Sequence, residues 1–414
     1  MTGGAAPTAA PRGAGNTVVA GSFRGAWRDL EPLPLPEAAA VFCAGQLDAV
    51  RAVWAHATSA RETLIAAAAR SEPALVAELS GSGLAIADAA GATLTVAPTE
   101  RPRPAEPGRL WLLTSGSTGR PKRVAHTLDS LTTVRGEQPP RTWLCPYTPG
   151  AYAWWQVVTL GLTIAGQNVV FVEHDRLDDW AELAATHGVD AASGTPTFWR
   201  QALLRAGEAL ARIPFRQVTL GGEPVDQGVL DLVAAAFPDA RVSWIYASSE
   251  AGAAIAVHDG RAGFPAEWVG SAPREGRPAL SIDGEELVIA SPHRGAGVAA
   301  ELHTGDRVEV RDGRVHIVGR LASDEINVGG SKASASAVRE VLLAHPGVRW
   351  AAVRGRRAPL VGTVVAADVV LADADTTETD LARWCAERLA DYAVPRRFRF
   401  LAAIPLKESL KSDV

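Results

Sequence analysis

Thr114-Ser115-Gly116-Ser117-Thr118-Gly119-Arg120-Pro121-Lys122 concentrates four hydroxyls, two glycines and a lysine in nine consecutive residues. Glycines let the backbone approach an anion closely, hydroxyls and turned backbone N–H groups donate to its oxygens, and Lys122 supplies positive charge. The apolar run 110–113 before this loop predicts a buried strand, and 124–131 after it predicts a helix. Because open α/β sheets bind ligands at their strand ends, the loop indicates a polyphosphate site, ATP above all.

A solvent-exposed Ser/Gly turn is the ordinary explanation of such a tract. Here the preceding strand and the following Pro-Lys pair favour a binding loop instead. The loop does not have the G-x-x-x-x-G-K-[ST] form, because Arg120 and Pro121 separate its last glycine from Lys122, and Arg123 occupies the position of the magnesium-binding hydroxyl. The phosphates must therefore be held in another way.

Length and composition limit the class of protein. A chain of 414 residues exceeds what one hydrophobic core usually supports, so we expect more than one domain. The net charge of −5 argues against nucleic acid as a partner, since a basic stripe would be expected there. Cys43, Cys145 and Cys385 lie far apart without C-x-x-C spacing, which indicates neither disulfides nor zinc and favours a cytoplasmic location. We expect no membrane association, because no apolar run approaches about 18 residues.

Periodicity predicts the architecture. Alternating apolar strands and helices between residues 168 and 246 predict a parallel sheet covered by helices. Alanine-rich segments at 46–58 and 62–70 predict helices upstream. Turn signals at Asp283-Gly284 and Asp312-Gly313 predict an antiparallel β module.

The predicted fold class is therefore α/β, with a large N-terminal domain of helix-covered sheets plus the β module, and a small mobile α+β C-terminal domain. Residues 1–35 are predicted to comprise a disordered tail, over 1–16, and a segment that enters the fold. The N-terminal domain is predicted over 36–319 and the C-terminal domain over 320–414.

Other short clusters carry groups suited to a nucleotide. Tyr246-Ala247-Ser248-Ser249-Glu250 ends a predicted strand with a ring, two hydroxyls and a carboxylate, which could stack a purine, touch a phosphate and hold a divalent cation. Thr304-Gly305-Asp306 offers an acceptor for ribose hydroxyls. Gly319-Arg320 opens the boundary between the domains, and Lys411 lies near the chain end. Taken singly, each cluster is more often an ordinary turn or a solvated side chain.

Taken together and in this order, the clusters resemble the motifs of the adenylate-forming superfamily, AMP-binding enzymes that include acyl-CoA synthetases, peptide-synthetase adenylation domains and luciferases. The similar segments are LLTSGSTGRPK for the phosphate loop, YASSE for adenine and magnesium, HTGD for ribose, GR with DEINVGGSK for the hinge and its glycine loop, and PLKESLK for the catalytic lysine. The resemblance runs from about residue 110 to 411. It implies the same division into a large domain and a small mobile lid.

The resemblance also implies a two-step reaction, in which an acid attacks the α-phosphate of ATP and a nucleophile then displaces AMP. The catalytic residues implied are Ser249 at the α-phosphate, Glu250 on Mg²⁺, and Lys411 bridging the acid and the α-phosphate. The ATP-binding residues implied are Thr114, Ser115, Gly116, Ser117, Thr118, Gly119, Lys122, Gly222, Glu223, Pro224, Tyr246, Ala247, Ser248, Ser249, Asp306 and Arg320.

The chain departs from the family pattern in three places. Leu410 stands where a glycine usually precedes the catalytic lysine, and a side chain restricts the backbone there. The hinge holds an extra residue, which makes Asp324 the hinge candidate. The segment 146–155 lacks the histidine that many CoA-forming members carry.

The acid pocket is the least determined part of the predicted site. Its predicted residues are Tyr147, Trp154, Trp155, Thr195, Trp199, Gly221 and Gly252. The tryptophans would make flat apolar walls for an aromatic or compact acid, with burial in the core as the equally weighted alternative. No aspartate stands where amino-acid-activating relatives pair the substrate amine, so an aryl or short acyl acid is favoured.

The leading hypothesis is an ATP- and Mg²⁺-dependent, AMP-forming ligase, monomeric or homodimeric, that loads a small-molecule acid onto the thiol of coenzyme A or an acyl carrier protein. An alternative delivers the activated group to an amine, as an amide ligase or a nitrite-activating diazotase acting on an aryl amine. The missing histidine and the altered hinge keep that alternative open. A nucleotide-binding regulatory protein without turnover is a third hypothesis, against which Glu250 and Lys411 argue.

Overall fold

The computed structural model describes residues 10–114, 122–205, 207–272, 276–321, 325–328, 331–358, 362–373 and 375–405. Up to residue 114 the elements are β1 (Thr17–Ala20), β2 (Phe23–Ala26), β3 (Ala38–Cys43), α1 (Gln46–Ser59), β4 (Glu62–Ala67), α2 (Pro73–Gly81), β5 (Ala85–Ala90), β6 (Thr93–Ala97) and β7 (Leu110–Thr114). From 122 to 257 they are β8 (Lys122–His126), α3 (Leu128–Leu131), β9 (Arg141–Cys145), α4 (Tyr152–Thr163), β10 (Gln167–Phe171), α5 (Trp180–Thr186), β11 (Ala191–Gly194), α6 (Pro196–Arg205), β12 (Gln217–Gly221), α7 (Gln227–Ala236), β13 (Arg241–Ser248) and β14 (Gly252–Val257). Beyond these lie β15 (Phe264–Pro265), β16 (Ala279–Asp283), β17 (Glu286–Ala290), β18 (Leu302–Arg311), β19 (Arg314–Arg320), β20 (Glu325–Val328), β21 (Ser331–Ser334), α8 (Ala335–Leu343), β22 (Val348–Ala358), β23 (Gly362–Leu371), α9 (Glu378–Ala386) and β24 (Arg397–Phe400).

Two large sheets form the body of the molecule. One has eight strands in the order β14-β13-β12-β11-β9-β10-β1-β2, and the other has six in the order β6-β5-β3-β4-β7-β8. The inner strands of both pair in parallel, and the outermost pair at each end is antiparallel. Since parallel strands end at a common edge, the carboxyl ends of β9, β11, β12 and β13 bring the segments that follow them to one rim of the sheet.

The entry segment that follows the predicted tail contributes two strands to the large sheet. Strand β1 pairs in parallel with β10, and Trp27 is fully buried. Asn16 donates from Nδ2 to the carbonyls of Gly161 and Ile164 at 2.7 and 2.6 Å. Burial of Trp27 and the hydrogen bonds of the Asn16 amide hold this entry segment against the sheet.

Two segments predicted as helices begin with strands, and of the second only α3 (Leu128–Leu131) is helical. Residues 62–67 form β4, which lies between β3 and β7 and is almost entirely buried. Residues 122–126 form β8, paired antiparallel with β7 from Thr114↔Lys122 to Leu110↔His126. Short alanine-rich or apolar runs fit a buried strand as well as a helix, and here the pairing partner decides.

Strand β7, which leads into the phosphate loop, is held by a buried ion pair. Glu62 is fully buried and accepts from the Trp111 indole at 2.8 Å and from Arg103 at 2.5 and 2.8 Å. Burial alone would raise the pKa of Glu62, but hydrogen bonds from Arg103, the Glu106 amide and Trp111 outweigh it and lower that pKa. The pair fixes the strand on which the predicted loop begins.

The downstream part contains the predicted antiparallel module and a separate compact unit. Five strands in the order β15-β19-β18-β17-β16 make the module. Beyond it, β22, β23 and β24 form a three-stranded sheet whose apolar residues cluster with helices α8 and α9. We call residues 325–405 the C-terminal unit. Its core clusters are distinct from the cluster that joins the large sheet and the β module.

Polar contacts attach the C-terminal unit to the large sheet. Arg200 on α6 donates two hydrogen bonds to Asp226 at 2.7 and 2.8 Å, and a third to the carbonyl of Arg349 at 3.1 Å. Arg339 on α8 donates to the carbonyl of Ala351 at 3.1 Å, and burial lowers its pKa against the pull of Asp226 and Glu223. The guanidinium groups of Arg200 and Arg339 therefore both lie near acidic residues, Asp226 among them, at the carboxyl edge of the large sheet.

Candidate active site

A cleft of about 2190 Å³ opens at the carboxyl ends of the large sheet. The large sheet, the β module and the C-terminal unit all contribute to its walls. Of the predicted residues, it brings together Thr114, Lys122, Tyr147, Thr195, Gly221, Gly222, Glu223, Pro224, Tyr246, Ala247, Ser248, Ser249, Glu250, Asp306 and Arg320. Residues more than 200 positions apart in sequence thus share one cavity.

Three of the predicted nucleotide residues form a connected group. The Tyr246 hydroxyl donates to Asp306 Oδ2 at 2.5 Å, and Arg320 Nε lies 2.9 Å from Asp306 Oδ1. Pairing of β18 with β19 sets Asp306 opposite Arg320, and Asp306 is only 6% exposed. Burial raises the pKa of Asp306, against the opposing effects of the Tyr246 hydrogen bond and the Arg320 charge. A buried carboxylate held in this way is a preorganised acceptor for sugar hydroxyls.

The turn after β13 carries the predicted phosphate and metal residues Ser249 and Glu250, which both line the cleft. The turn is fixed from the other side, because the Gly295 amide donates to the Glu250 carbonyl at 2.9 Å. Within the described residues there is no cluster of three or more His, Cys, Asp or Glu able to hold a metal ion. Glu250 places one carboxylate on the wall of the cleft, and Mg²⁺ is usually bound by one or two carboxylates together with substrate phosphates.

His126 is a site residue that the sequence analysis missed. It is 1% exposed, and its Nε2 lies 2.7 Å from the Ser249 carbonyl while Nδ1 lies 2.9 Å from Ser130 Oγ. A carbonyl only accepts, so Nε2 carries the proton, and burial lowers the pKa of the ring. His126 therefore ties the strand after the phosphate loop to the Ser249 turn. The mistaken helix over 124–131 hid this role, since period-two alternation would have pointed the side chain inward.

The phosphate loop is only partly described. Thr114 ends β7 and Lys122 begins β8 as direct partners, and both line the cleft. The predicted residues Ser115, Gly116, Ser117, Thr118 and Gly119 lie outside the described residues, as do the hinge candidate Asp324 and the catalytic candidate Lys411. Their roles stay predictions.

The segment after β12 supplies the wall beside Tyr246. Gly222 has φ of 85°, a backbone conformation that L side chains rarely adopt. Glu223 accepts from the Thr197 amide at 3.0 Å, which joins this turn to the start of α6. The predicted Gly222-Glu223-Pro224 segment thus lies along the cleft in a fixed conformation.

The prediction that tryptophans wall the acid pocket is wrong. Trp154, Trp155 and Trp199 are fully buried and are absent from the described lining of the cleft. Trp199 contacts other rings of the core, namely Trp180, Phe198, Phe215 and Phe237. Trp154 donates instead to Gln46 Oε1 at 2.9 Å. The three tryptophans are therefore core residues, which was the alternative explanation.

Hydroxyl groups take the place predicted for the tryptophans. The Tyr147 hydroxyl lies 3.0 Å from Ser193 Oγ, and burial raises the Tyr147 pKa, so the phenol stays neutral. Tyr152 and Gln156, one helical turn apart on α4, also line the cleft, although neither was predicted. We call Tyr147, Tyr152, Gln156, Ser193 and Thr195 the acid side of the cleft.

Gly252 lies behind this wall and not on it. A Cβ atom on Gly252 would come 2.9 Å from the His293 Cβ and 3.3 Å from the Tyr152 hydroxyl. Among the described lining residues Gly252 does not occur, so its predicted contact with substrate is wrong. Its lack of a side chain makes room for Tyr152.

Comparison with known proteins identifies the family. The model of the AMP-binding enzyme matches residues 35–305, and that of the AMP-binding enzyme C-terminal domain matches 337–411. Feruloyl-CoA synthase of Amycolatopsis sp is 29% identical over 354 residues, 74% of this chain and 69% of that protein. A 2-succinylbenzoate–CoA ligase of Bacillus anthracis (strain A0248) is 28% identical over 335 residues, 72% of this chain and 67% of that protein.

A solved structure of a benzoate CoA ligase from Burkholderia xenovorans LB400 matches 97% of this chain and 96% of its own, with a TM-score of 0.74 at 17% identity. The chain belongs to the AMP-binding enzyme family. The predicted fold class is confirmed, and so is the prediction of an AMP-forming acid ligase. None of the described helices has the length and apolarity needed to cross a membrane.

Proposed function

We propose that this ligase adenylates a small aryl or short acyl carboxylic acid with ATP and Mg²⁺, and passes the acyl group to the thiol of coenzyme A or a carrier protein. The observation that carries the proposal is the single cleft in which Tyr246, Asp306 and Arg320 meet the Ser249-Glu250 turn, with a neutral hydroxyl-lined side adjoining it. The nucleotide and the acid would thus occupy neighbouring parts of one cavity.

The residue roles proposed are those that the family resemblance implies, and the positions and charges of the described residues support them. Tyr246 lies against the purine, Asp306 accepts from the ribose hydroxyls, and Arg320 keeps Asp306 ionised and oriented. Ser249 reaches the α-phosphate, and Glu250 holds Mg²⁺, which neutralises phosphate charge when bound. Lys122 adds positive charge at the end of the phosphate loop, and Lys411 bridges the acid and the α-phosphate. Charge stabilisation by such fixed groups is the main demand of phosphoryl and adenylyl transfer.

The acid side supports an uncharged acyl group. Its members are neutral hydroxyls and one amide, and Gln156 already donates to the Leu131 carbonyl at 2.9 Å and accepts from Thr133 at 2.5 Å. These five described residues include no Lys or Arg, so they themselves offer no counter-charge to a second carboxylate. Feruloyl-CoA synthase and benzoate CoA ligase, two of the similar proteins, are named for aryl acids, which fits this lining.

We also propose that residues 36–319 and 320–414 are two domains, with the second acting as a lid over the cleft. Support comes from the separate core clusters on either side of residue 320 and from the C-terminal unit's share of the cleft wall. A hinge at Asp324 would let the lid present Lys411 for the first step and withdraw it for the second.

A pyrophosphate-release screen tests the proposed function. Aryl, short acyl, dicarboxylic and amino acids, and nitrite, are offered with ATP and Mg²⁺, and coenzyme A, a phosphopantetheinylated carrier protein or an aryl amine is then added. We expect release with aryl or short acyl acids and a thioester on adding a thiol. Product that forms with an amine and never with a thiol would refute the proposed thiol acceptor. Pyrophosphate release with nitrite alone would refute a carboxylic acid as the substrate.

A further inference from the structure

One buried histidine lies where three separate parts of the chain meet. His126 ends β8, the strand that follows the phosphate loop, and its Nε2 donates to the Ser249 carbonyl at 2.7 Å. Gly295, from the segment between β17 and β18, donates its amide to the Glu250 carbonyl at 2.9 Å. Both carbonyls of the turn that carries the proposed phosphate and metal residues are therefore held. We call these four residues the turn junction.

The two segments that hold the turn are also fixed to each other. The Ala296 amide donates to the Ala125 carbonyl at 2.7 Å in an isolated antiparallel bridge. A Cβ atom on Gly295 would lie 3.1 Å from the Ala125 carbonyl oxygen and 3.4 Å from His126 Nε2, so this close approach needs a residue without a side chain. Backbone hydrogen bonds therefore close the turn junction on two sides, and the imidazole supplies its third connection.

The imidazole ring is held at its other nitrogen as well. His126 Nδ1 lies 2.9 Å from Ser130 Oγ, which in turn accepts from the Thr127 amide at 3.0 Å. Since Nε2 carries the proton, Nδ1 is the acceptor in the neutral ring and Ser130 donates to it. The ring is 1% exposed, which keeps water from competing for the bond to the Ser249 carbonyl. Partners at both nitrogens therefore fix the tautomer and the orientation of the side chain.

The turn junction connects parts of the cleft that have different roles. Lys122 begins β8 and His126 ends it, so the strand that carries the last residue of the phosphate loop also carries the histidine. The His126 ring lies 6.5 Å, centroid to centroid, from the ring of Tyr152 on the acid side. Ser249 and Glu250 line the cleft themselves. One side chain therefore relates the phosphate loop, the Ser249-Glu250 turn and the acid side to one another.

We propose that His126 is a positioning residue for adenylation, whose bond to the Ser249 carbonyl aims the Ser249 hydroxyl and the Glu250 carboxylate at the bound nucleotide. This inference rests on the proposed function, because those two groups act only if ATP occupies the cleft. The peptide unit between Ser249 and Glu250 is planar and rigid, so holding its carbonyl sets the direction in which both side chains leave the backbone. Groups fixed in advance need no reorganisation when charge develops at phosphorus.

Two amide substitutions separate this hydrogen bond from the mere presence of a polar side chain. The amide nitrogen of glutamine reaches the position of histidine Nε2, whereas that of asparagine reaches only the position of Nδ1. We therefore expect His126→Gln to keep the donor to the Ser249 carbonyl and His126→Asn to lose it. His258→Asn is the matched control, because His258 Nδ1 also lies close to a serine hydroxyl, 2.8 Å from Ser243 Oγ. His258 is not among the described residues that line the cleft.

The measurements are ATP binding by calorimetry, with Mg²⁺ and with a chelator, and acid-dependent pyrophosphate exchange. In His126→Asn, the gain in ATP affinity on adding Mg²⁺ should be about tenfold smaller than in the wild type, and kcat for exchange should fall about tenfold or more. Its affinity for ATP in the chelator and its KM for the acid should match the wild type. His126→Gln should stay within about threefold of the wild type throughout, and His258→Asn should match it.

A His126→Asn enzyme with wild-type exchange and a wild-type response to Mg²⁺ would overturn the proposal. A His126→Gln enzyme as impaired as His126→Asn would also overturn it, because the donor at Nε2 would then not be what matters. If His126→Asn lowered only the melting temperature, the histidine would serve stability alone and the proposal would fail. Wild-type enzyme that neither binds ATP nor exchanges pyrophosphate with any acid would instead refute the proposed function.

Discussion

The two sides of the cleft differ in the interactions that hold their side chains. We call Tyr246, Asp306 and Arg320 the nucleotide side, opposite in character to the acid side. On the nucleotide side, Asp306 is held by Tyr246 and Arg320 through charged hydrogen bonds of 2.5 and 2.9 Å, all at strand ends or in paired strands. On the acid side, Tyr147 and Ser193 meet through one neutral contact of 3.0 Å, and Tyr152 and Gln156 enter from a helix.

This difference explains why one side could be predicted as local motifs and the other could not. A charged residue at the end of a strand has a fixed position because backbone pairing fixes the strand. Which face of a helix meets a cavity depends on everything packed around that helix, and Trp154 and Trp155 turned to the core while Tyr152 and Gln156 faced the cleft. Substitutions on the two sides should therefore separate the KM for ATP from the KM for the acid.

The largest effect is expected from Lys411→Ala, which removes the charge proposed to bridge the acid and the α-phosphate. We expect acid-dependent pyrophosphate exchange to fall about 10³-fold, the scale of losing a transition-state donor. Binding of ATP, measured by calorimetry, should be retained. Lys407→Ala, four residues earlier, is the control and should keep its exchange rate. A Lys411→Ala enzyme with over half the wild-type rate would remove Lys411 from the mechanism.

On the nucleotide side, Asp306→Asn keeps the shape and removes the charge that accepts from ribose and pairs with Arg320. The KM for ATP should rise about 10- to 100-fold, as expected for loss of hydrogen bonds to a charged acceptor. The KM for the acid should barely change. Asp312→Asn, in an exposed turn of the same module with φ of 52°, is the matched control because asparagine tolerates that conformation. Equal effects of the two substitutions would contradict the role of Asp306.

The acid side should respond in the opposite way. Tyr147→Phe removes a neutral hydroxyl, so the KM for the acid should change about threefold to tenfold, with the KM for ATP unchanged. Trp199→Phe should lower the melting temperature and leave both KM values alone, because Trp199 belongs to the core. If Trp199→Phe strongly raised the KM for the acid while stability stayed normal, Trp199 would line the acid pocket after all.

The smallest effect concerns pH. Because burial raises the pKa of Asp306, protonation begins at a higher pH than for an ordinary aspartate, and the protonated acid is a poorer acceptor. The KM for ATP should therefore rise as the pH is lowered from about 8 to 5, a range chosen above the ordinary aspartate pKa. Asp306→Asn should abolish the rise. An equal pH dependence in that variant would place the titrating group elsewhere.

Much of the fold followed from the sequence because long-period patterns are strong. The β-α alternation from 168 to 246, the hairpin module and the α+β character of the chain after 319 all appear in the structure. The wrong predictions were short segments whose structure depends on tertiary partners, namely β4 and β8, and β1 was not predicted. The mistaken helix at β8 also concealed His126, so an error in local structure became an error in the site.

Acid-dependent exchange of pyrophosphate into ATP is the decisive measurement of adenylation in this cleft, because it requires both sides of the cleft in one step and needs no acceptor. We expect exchange by the wild-type enzyme with aryl or short acyl acids, no exchange without acid, and a selective loss of ATP affinity in Asp306→Asn. Exchange that proceeds without any acid, or that no carboxylic acid supports, would contradict it.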